Sequence, residues 1–174
     1  MKWILIVVGV IAGLIALIAI IGSLMPKSHT ASRSTVINKS PEVLWQAITD
    51  FAAFPQWRTD IKNVEALPDR EGHKVWREDG KNGMLTLETI EASPPSRMVL
   101  RIADPDLPYG GTWTYELQST GAGSRLTITE DGEIYNPIFR FMGRLFFSPT
   151  ASIETYLKAL GKKYGEDVQF SSPG

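Results

Sequence analysis

Glu130 is the acidic residue whose position in the sequence is best suited to chemistry. It follows Leu126 and Ile128 at two-residue spacing, so the three side chains would share one face of a β-strand. A carboxyl group held among apolar side chains has a raised pKa and can exchange protons with a bound molecule. The simpler alternative, which we favour, is that residues 130–132 end the strand or form a bulge and leave Glu130 in solvent.

Other types of reactive site are missing from the sequence. The chain has no cysteine, which excludes disulfides, thiolate catalysis and Cys-based zinc sites. Its two histidines, His29 and His73, lie far apart with no carboxylate-rich spacing around them, so we expect no metal. There is no phosphate-binding loop, dinucleotide-binding glycine pattern or nucleophile elbow, and we expect no cofactor. With 18 basic and 19 acidic residues and no run of like charges, the chain lacks the basic surface typical of nucleic-acid binding.

A series of short strands is predicted to position these side chains. Between residues 61 and 135 apolar and polar residues alternate, and clusters rich in Gly, Pro, Asp and Ser interrupt the pattern. The predicted strands are Ser34–Asn38, Ile61–Leu67, His73–Glu78, Met84–Ala92, Arg97–Ala103, Gly111–Gln118 and Ser124–Tyr135. Because successive strands are joined by short turns, we expect an antiparallel sheet of about seven strands.

Helices are predicted before and after the main run of strands. Ser40-Pro41-Glu42 has the residues of a helix start, and a second short helical turn is expected at Phe51–Trp57. A long C-terminal helix begins at Asn136-Pro137, and Ser148-Pro149 predicts a break or kink within it. Since a sheet must have one face covered, the predicted fold class is α+β, with a curved antiparallel sheet wrapped on this helix.

The space between such a sheet and its helix is a usual place for an apolar ligand. Alternation in residues 111–118 places Trp113, Tyr115 and Leu117 on the face that should point to the helix. We expect the ligand cavity to be lined by Trp57, Trp113, Tyr115, Leu117, Leu126, Ile128, Phe141, Leu145 and Leu157.

Arg140 and Arg144 form a basic stripe on the otherwise apolar segment 138–147. Residues four apart lie on the same side of a helix. The segment is then either a lid over the cavity with its arginines in water, or a helix that contacts lipid headgroups. We favour the lid, because two arginines are weak support for membrane contact.

Residues 3–25 form an unbroken apolar run without a charged side chain. The run is long enough for a helix to cross the roughly 30 Å hydrocarbon core of a bilayer, and it is longer than the apolar part of most signal peptides. We therefore expect residues 1–26 to be a single-pass membrane anchor rather than a cleaved signal. Lys2 precedes the run, and three basic residues follow it within a short distance, which leans slightly towards a cytoplasmic domain.

The expected organisation after the anchor is a linker at residues 27–33, one domain at residues 34–168 and a disordered tail at residues 169–174. A single domain of this length has enough residues for a proper core.

The opening of the domain resembles the SRPBCC superfamily, which includes START lipid-transfer domains and polyketide cyclase/dehydrase-like proteins and shares the helix-grip fold. The resemblance covers roughly residues 31–167. It rests on Ser34–Asn38, Ser40-Pro41-Glu42-Val43-Leu44-Trp45, Ile48-Thr49-Asp50-Phe51, Phe54-Pro55-Gln56-Trp57 and Gly111-Thr112-Trp113-Thr114-Tyr115-Glu116-Leu117. It implies a hydrophobic cavity between sheet and helix, and it supplies no catalytic set.

Three functions are consistent with these observations. The first and preferred one is a membrane-anchored module that binds a hydrophobic small molecule or lipid, without enzymatic activity. The second is a polyketide cyclase/dehydrase-like enzyme in which Glu130, with Tyr115 or Tyr135, moves protons. The third is a non-catalytic interaction domain whose core is filled by its own side chains.

Overall fold

A seven-stranded antiparallel sheet forms the body of the protein, in a computed structural model that describes residues 2–81, 83–146 and 148–172. The strands are β1 (Ser28–Ile37), β2 (Ile61–Arg70), β3 (His73–Gly80), β4 (Gly83–Ser93), β5 (Arg97–Ile102), β6 (Tyr109–Thr120) and β7 (Gly123–Ile134). Their spatial order is β1-β7-β6-β5-β4-β3-β2. The chain meanders from β2 to β7, and β1 then pairs with β7 at the edge.

Five α-helices accompany the sheet: α1 (Lys2–Leu24), α2 (Pro41–Thr49), α3 (Phe54–Trp57), α4 (Pro137–Phe146) and α5 (Ala151–Lys163). A 3-10 turn at Phe51–Ala53 leads directly into α3. The predicted fold class is therefore confirmed, including the seven strands and the short helices after the first strand.

The core lies between the inner face of the sheet and α5. Ile153, Leu157 and Leu160 are fully buried and recur at helical spacing, so one side of α5 packs against the sheet. They pack in a single cluster with Leu126 and Ile128 of β7. Hydrophobic burial between these two layers is the main stabilising contribution that the geometry shows.

The predicted long C-terminal helix is two helices with different neighbours. α4 ends at Phe146 and α5 begins at Ala151, with Pro149 between them. Proline has no backbone N–H to donate to the preceding turn and its ring crowds that turn, so a helix cannot continue through it undisturbed. Of these two helices, α5 covers the sheet, whereas α4 packs against α1 and the end of β7.

Two predicted boundaries were wrong. The linker at residues 27–33 belongs almost entirely to β1, which begins at Ser28 and pairs without interruption with β7. The tail is also tied down, because Ser34 and Ser171 exchange two backbone hydrogen bonds of 2.9 Å. In both places a polar segment is held by a neighbouring strand that sequence composition does not reveal. The last two residues of the predicted tail, 173–174, lie outside the described residues.

The first helix has the length and composition of a candidate membrane span. It contains 23 residues, and Gly22 is its one buried residue. A Cβ atom at Gly22 would collide with the backbone carbonyl of Pro137, so glycine allows α1 and α4 to touch at this point.

Removal of a side chain from the centre of α5 should destabilise the fold much more than removal of one from its outer face. Leu157→Ala should lower the free energy of unfolding by about 2–5 kcal/mol, because it leaves a cavity where the side chain is fully buried. Thr155→Ala, on the exposed side of the same helix, should change it by less than about 0.5 kcal/mol. Urea unfolding of the detergent-solubilised chain, followed by near-UV circular dichroism, measures both. Equal effects would mean that α5 is not the helix that covers the sheet.

Candidate functional site

A charged side chain, Arg58, lies inside the interface between the sheet and the helices. It directly follows α3, and only 13% of its side chain is exposed. Its Nη1 donates to both carboxylate oxygens of Glu78, at 3.3 and 3.2 Å, and its Nη2 donates to Asp60 Oδ2 at 2.8 Å. The guanidinium is thus shared between two carboxylates, one from β3 and one from the loop before β2.

Glu78 is oriented inward by the alternation of β3. Trp76, two residues earlier, points to the same face, and its indole Nε1 donates to Glu78 Oε1 at 3.2 Å. Both side chains are almost completely buried. The carboxylate that lies deepest in the core is therefore Glu78.

Burial opposes the charged form of both partners in this ion pair. The net effect favours the charged form of Arg58 and disfavours the charged form of Glu78. For Arg58, burial is outweighed by the carboxylates of Glu78 and Asp60, and its pKa is raised. For Glu78, burial dominates over the guanidinium of Arg58 and the Trp76 N–H, and its pKa is also raised. The asymmetry has a physical cause, because two carboxylates compete for one guanidinium and leave an excess of negative charge.

Aromatic rings enclose the guanidinium. The centre of the Arg58 guanidinium lies 5.1 Å from the Phe54 ring centroid and 5.2 Å from that of Tyr156, distances typical of cation–π contacts. Tyr156 projects from α5 and makes edge contacts with Trp57 at 5.5 Å and Tyr115 at 5.6 Å between ring centroids. Burial raises the pKa of both tyrosines, so their hydroxyl groups stay protonated at physiological pH.

Several polar atoms in this cluster have no hydrogen-bond partner among the described residues. They are Trp57 Nε1, Arg58 Nε, Asp60 Oδ1 and Tyr156 Oη. A buried polar atom without a partner costs about 1–3 kcal/mol, and most such atoms in folded proteins are paired. Three donors and one acceptor in one region are able to bind a polar group of another molecule. We refer to Trp57, Arg58, Asp60, Glu78, Tyr115 and Tyr156 as the core polar cluster.

Most of the side chains that the sequence assigns to the cavity lie together in the core. Those buried at the interface of sheet and α5 are Trp57, Tyr115, Leu117, Leu126, Ile128 and Leu157, and Trp113 packs against them partly buried. The two from α4 do not join them. Leu145 is 59% exposed and Phe141 is only partly buried, because α4 turns towards α1 instead of crossing the sheet.

Glu130 lies at the rim of the same interface. The register of β7 continues through it without a bulge, opposite Ala31 and Trp113. Its side chain is 21% exposed, lies 3.4 Å from His29 Nε2 and accepts a hydrogen bond of 3.3 Å from Ser152 of α5.

The tyrosines proposed as partners of Glu130 have other surroundings. Tyr115 is buried in the core polar cluster, and Tyr135 is half exposed and donates to Glu133 at 3.1 Å. Within the described chain neither of them is hydrogen-bonded to Glu130.

The members of the cluster that the sequence analysis missed as site residues are Arg58, Asp60, Glu78 and Tyr156. A signal existed for Glu78, because Trp76 and Glu78 show the same two-residue spacing as Ile128 and Glu130, which places both side chains on one face of a strand. Arg58 had no such signal, since it follows a short helix and two of its partners, Glu78 of β3 and Tyr156 of α5, are distant in sequence.

The interface between sheet and α5 is closed in this conformation, since most of the side chains that line it are almost completely buried. Two hollows in the described part of the chain lie elsewhere: one of about 280 Å³ is open at the ends of β1, β6 and β7, and one of about 240 Å³ is on α1. Phe51 stacks on Trp76 with ring centroids 3.6 Å apart, which fills the region beside the cluster. No three metal-binding side chains converge in the residues described.

A curved sheet that grips one helix, with a mixed apolar and polar interior, defines a ligand-binding class of fold. The sequence profile described as "Polyketide cyclase / dehydrase and lipid transport" matches residues 28–160, which is well over half of the chain. The chain therefore belongs to this family. No curated protein matches the sequence.

Solved structures share the fold at low sequence identity. A START superfamily protein from Mycobacterium smegmatis has a TM-score of 0.62 and 19% identity, over 78% of this chain and 96% of that one. The Zhui aromatase/cyclase from Streptomyces sp. R1128 has a TM-score of 0.61 and 11% identity, over 80% and 99%. The di-domain aromatase/cyclase StfQ of steffimycin biosynthesis has a TM-score of 0.60 and 11% identity, over 76% of this chain and 48% of that one. These similarities establish the fold. The predicted resemblance to the SRPBCC superfamily is confirmed by the match of the sequence profile.

Loss of the buried arginine should be costly and sensitive to pH. Arg58→Met should lower the free energy of unfolding by about 3–5 kcal/mol at neutral pH, because Glu78 is left buried without its counter-ion. The deficit should shrink on acidification. Glu78 already has a raised pKa in the folded state, and loss of the guanidinium raises it further, so the folded variant binds a proton before the unfolded chain does.

Arg77→Met is the matched control, since Arg77 lies on the same strand as Glu78, has a side chain that is 42% exposed and pairs with Glu65 at 3.5 Å. It should cost less than about 1 kcal/mol at any pH. The double variant Arg58→Met/Glu78→Leu should recover most of the stability that the single variant loses. Urea titrations at neutral and mildly acidic pH provide these values. A deficit of Arg58→Met that is independent of pH would contradict the role assigned to Glu78.

Proposed function

We propose that this chain is a membrane-anchored binding module whose ligand is an amphipathic small molecule, held between the sheet and α5. The observation that carries the proposal is the core polar cluster with its unpaired donors and acceptor. Side chains that served only to fill the core would cost less as apolar groups, because buried polar atoms without partners destabilise a fold.

The polar end of the ligand is expected to be a carbonyl or hydroxyl group. Trp57 Nε1, Arg58 Nε and Tyr156 Oη are donors that an oxygen atom can accept from, and Asp60 Oδ1 can accept from a hydroxyl. A fully ionised phosphate is a poorer candidate, because the positive charge of Arg58 is already shared by two carboxylates.

The apolar part of the ligand is expected to lie against the aromatic rings around Tyr156. Trp57, Trp113 and Tyr115 all contact that ring edge-on, and aromatic side chains are usual lining for a site that binds an apolar molecule. Since the interface is closed, entry requires these side chains to move apart. The family description and the names of the aromatase/cyclase neighbours support a ligand of this kind.

The first helix supplies the membrane anchor in this proposal. It is long enough and apolar enough to span a bilayer, and its side chains are not used to build the core. A cleaved signal sequence is the alternative for the same helix. An anchored domain would take up its ligand from the adjacent bilayer or deliver it there, on the cytoplasmic side if the basic residues after the helix decide the orientation.

Native mass spectrometry of the full chain in lipid nanodiscs, purified from its own host, tests the proposal directly. A reproducible additional mass that is released on denaturation is the expected result. An unliganded mass that persists after incubation with oleic acid, geranylgeraniol and a dihydroxyanthraquinone would overturn the proposal. It would favour the second candidate, an interaction domain with a filled core, for which the closed aromatic interface is the supporting observation.

Tyr156→Phe separates binding from folding. Its hydroxyl lies beside that of Tyr115 and makes no hydrogen bond of good geometry with the described residues, so removal should change the free energy of unfolding by less than about 1 kcal/mol. Affinity for a dihydroxyanthraquinone should fall about fivefold, as expected for one lost hydrogen bond of about 1 kcal/mol. Tryptophan fluorescence quenching in nanodiscs measures the affinity. Tyr135→Phe, on the exposed surface, is the control, because partition of the probe into lipid affects both variants equally. Identical affinities of the two variants would remove Tyr156 from the site.

The enzyme hypothesis is supported by one local arrangement, the meeting of Glu130, His29 and Ser152 at the rim of the interface. If Glu130 transfers protons there, Glu130→Gln should abolish conversion of a poly-β-keto thioester to a cyclised product and leave its binding intact. Glu133→Gln, an exposed carboxylate on the same strand, is the control. Equal conversion by both variants would exclude Glu130 from any such reaction.

A further inference from the structure

The apolar face of α4 points away from the protein. On a helix at the surface of a globular domain the apolar side chains face the core and the charged ones face water. In α4 the arrangement is reversed, because Arg140 is buried at 6% exposure. The large apolar side chains exposed on this helix are Ile138, Phe139, Met142, Leu145 and Phe146.

These side chains form one continuous surface. At 100° per residue they fall within a single arc on one side of the helix, and Arg140 and Arg144, four residues apart, lie on the opposite side. Arg140 is buried there, whereas Arg144 is exposed. We call this surface the outer face of α4. Contiguous exposed apolar surface of this kind marks a contact with a partner protein or with a membrane.

Arg140 fixes α4 to the end of the candidate membrane span. Its Nη1 donates to the carbonyl oxygens of Gly22 at 2.9 Å and Met25 at 3.0 Å. The last carbonyls of a helix lack partners within the helix and carry its negative partial charge, so a guanidinium stabilises them on both counts.

The same side chain also holds the end of β7. Its Nε donates to Ile134 O and its Nη2 donates to Tyr135 O, both at 3.1 Å. All of these acceptors are carbonyl groups, which leaves Arg140 well satisfied although it is buried. Together with the close contact of Gly22 and Pro137, this sets the start of α4 directly beside the end of α1.

We propose that the outer face of α4 lies in the lipid bilayer, at the boundary between headgroups and acyl chains. The proposal rests on the proposed anchoring by α1. If α1 spans the membrane, its C-terminal end is at the membrane surface, and α4 is held at that depth by the contacts of Arg140 and Gly22. An amphipathic helix with an apolar face is stable in that position, and the exposed Arg144 on its polar side is suited to anionic headgroups. The domain is then fixed at two points on the membrane and has a defined orientation.

The lack of cysteine in the chain makes a direct test available. Single cysteines replace Ile11 in the middle of α1, Phe139 or Phe146 on the outer face of α4, and Met84, which is 64% exposed on the sheet. Each full chain carries a nitroxide label and is reconstituted into vesicles of phosphatidylcholine with a minority of phosphatidylglycerol. Collisions with oxygen, which concentrates in the acyl region, are compared with collisions with a water-soluble nickel chelate.

The expected order of depth is Ile11, then Phe139 and Phe146, with Met84 in water. Labels at Phe139 and Phe146 that behave like the one at Met84, while Ile11 is deep, would overturn the inference and leave the anchor standing. A water-exposed label at Ile11 would instead overturn the anchoring on which the inference rests. Spin–spin broadening at Phe139 that grows with protein density, together with exclusion of oxygen, would assign the outer face to a second copy of this chain and also contradict the proposal.

Discussion

The buried guanidinium of Arg58 is the constraint on which the interior of this protein depends. Removing a charge from water is expensive, and it is tolerated only when the geometry around the charge is closely matched. Here the match is made by Glu78 from β3, Asp60 from the loop before β2, and the ring of Tyr156 from α5. Because all three elements must be in place for the charge to be satisfied, we infer that Arg58 fixes the position of α5 relative to β3 and the start of β2.

Arg140 solves the same physical problem in a different way. It has no carboxylate partner in the described structure, and its charge is balanced by backbone carbonyls from the end of α1 and the end of β7. Those carbonyls need donors, since a helix leaves its last four without partners. Each arginine thus joins elements that are distant in sequence, Arg58 within the core and Arg140 between the domain and its N-terminal helix.

The two arginines also have opposite surroundings. Around Arg58 apolar rings and polar atoms face inward, which suits an enclosed amphipathic molecule. Around Arg140 the polar atoms face inward and the apolar side chains face outward, which suits a bilayer. The domain would then hold its ligand in the interior and expose an apolar helix to the membrane that supplies or receives the ligand.

Sequence patterns alone were enough to predict the strands, the short helices after β1, the apolar N-terminal helix and the inward faces of β6 and β7. These features are local, because periods of two and 3.6 residues and turn-forming clusters report which side of an element will be buried. Of the side chains expected to line the ligand cavity, six are buried in the core, and their contact with a ligand stays a prediction: Trp57, Tyr115, Leu117, Leu126, Ile128 and Leu157.

The contacts between polar groups could be read only from the tertiary structure. Arg58 and Glu78 are twenty residues apart and Arg140 and Gly22 are 118 apart, so no spacing rule connects either pair. Tertiary contacts also place the first six residues of β1 in the sheet and leave Leu145 of α4 exposed. They bury the carboxylate of Glu78 more deeply than that of Glu130. The physical reason is common to all of these cases: the free energy of a polar or charged group depends on its partners and its burial, and both are set by parts of the chain that are distant in sequence.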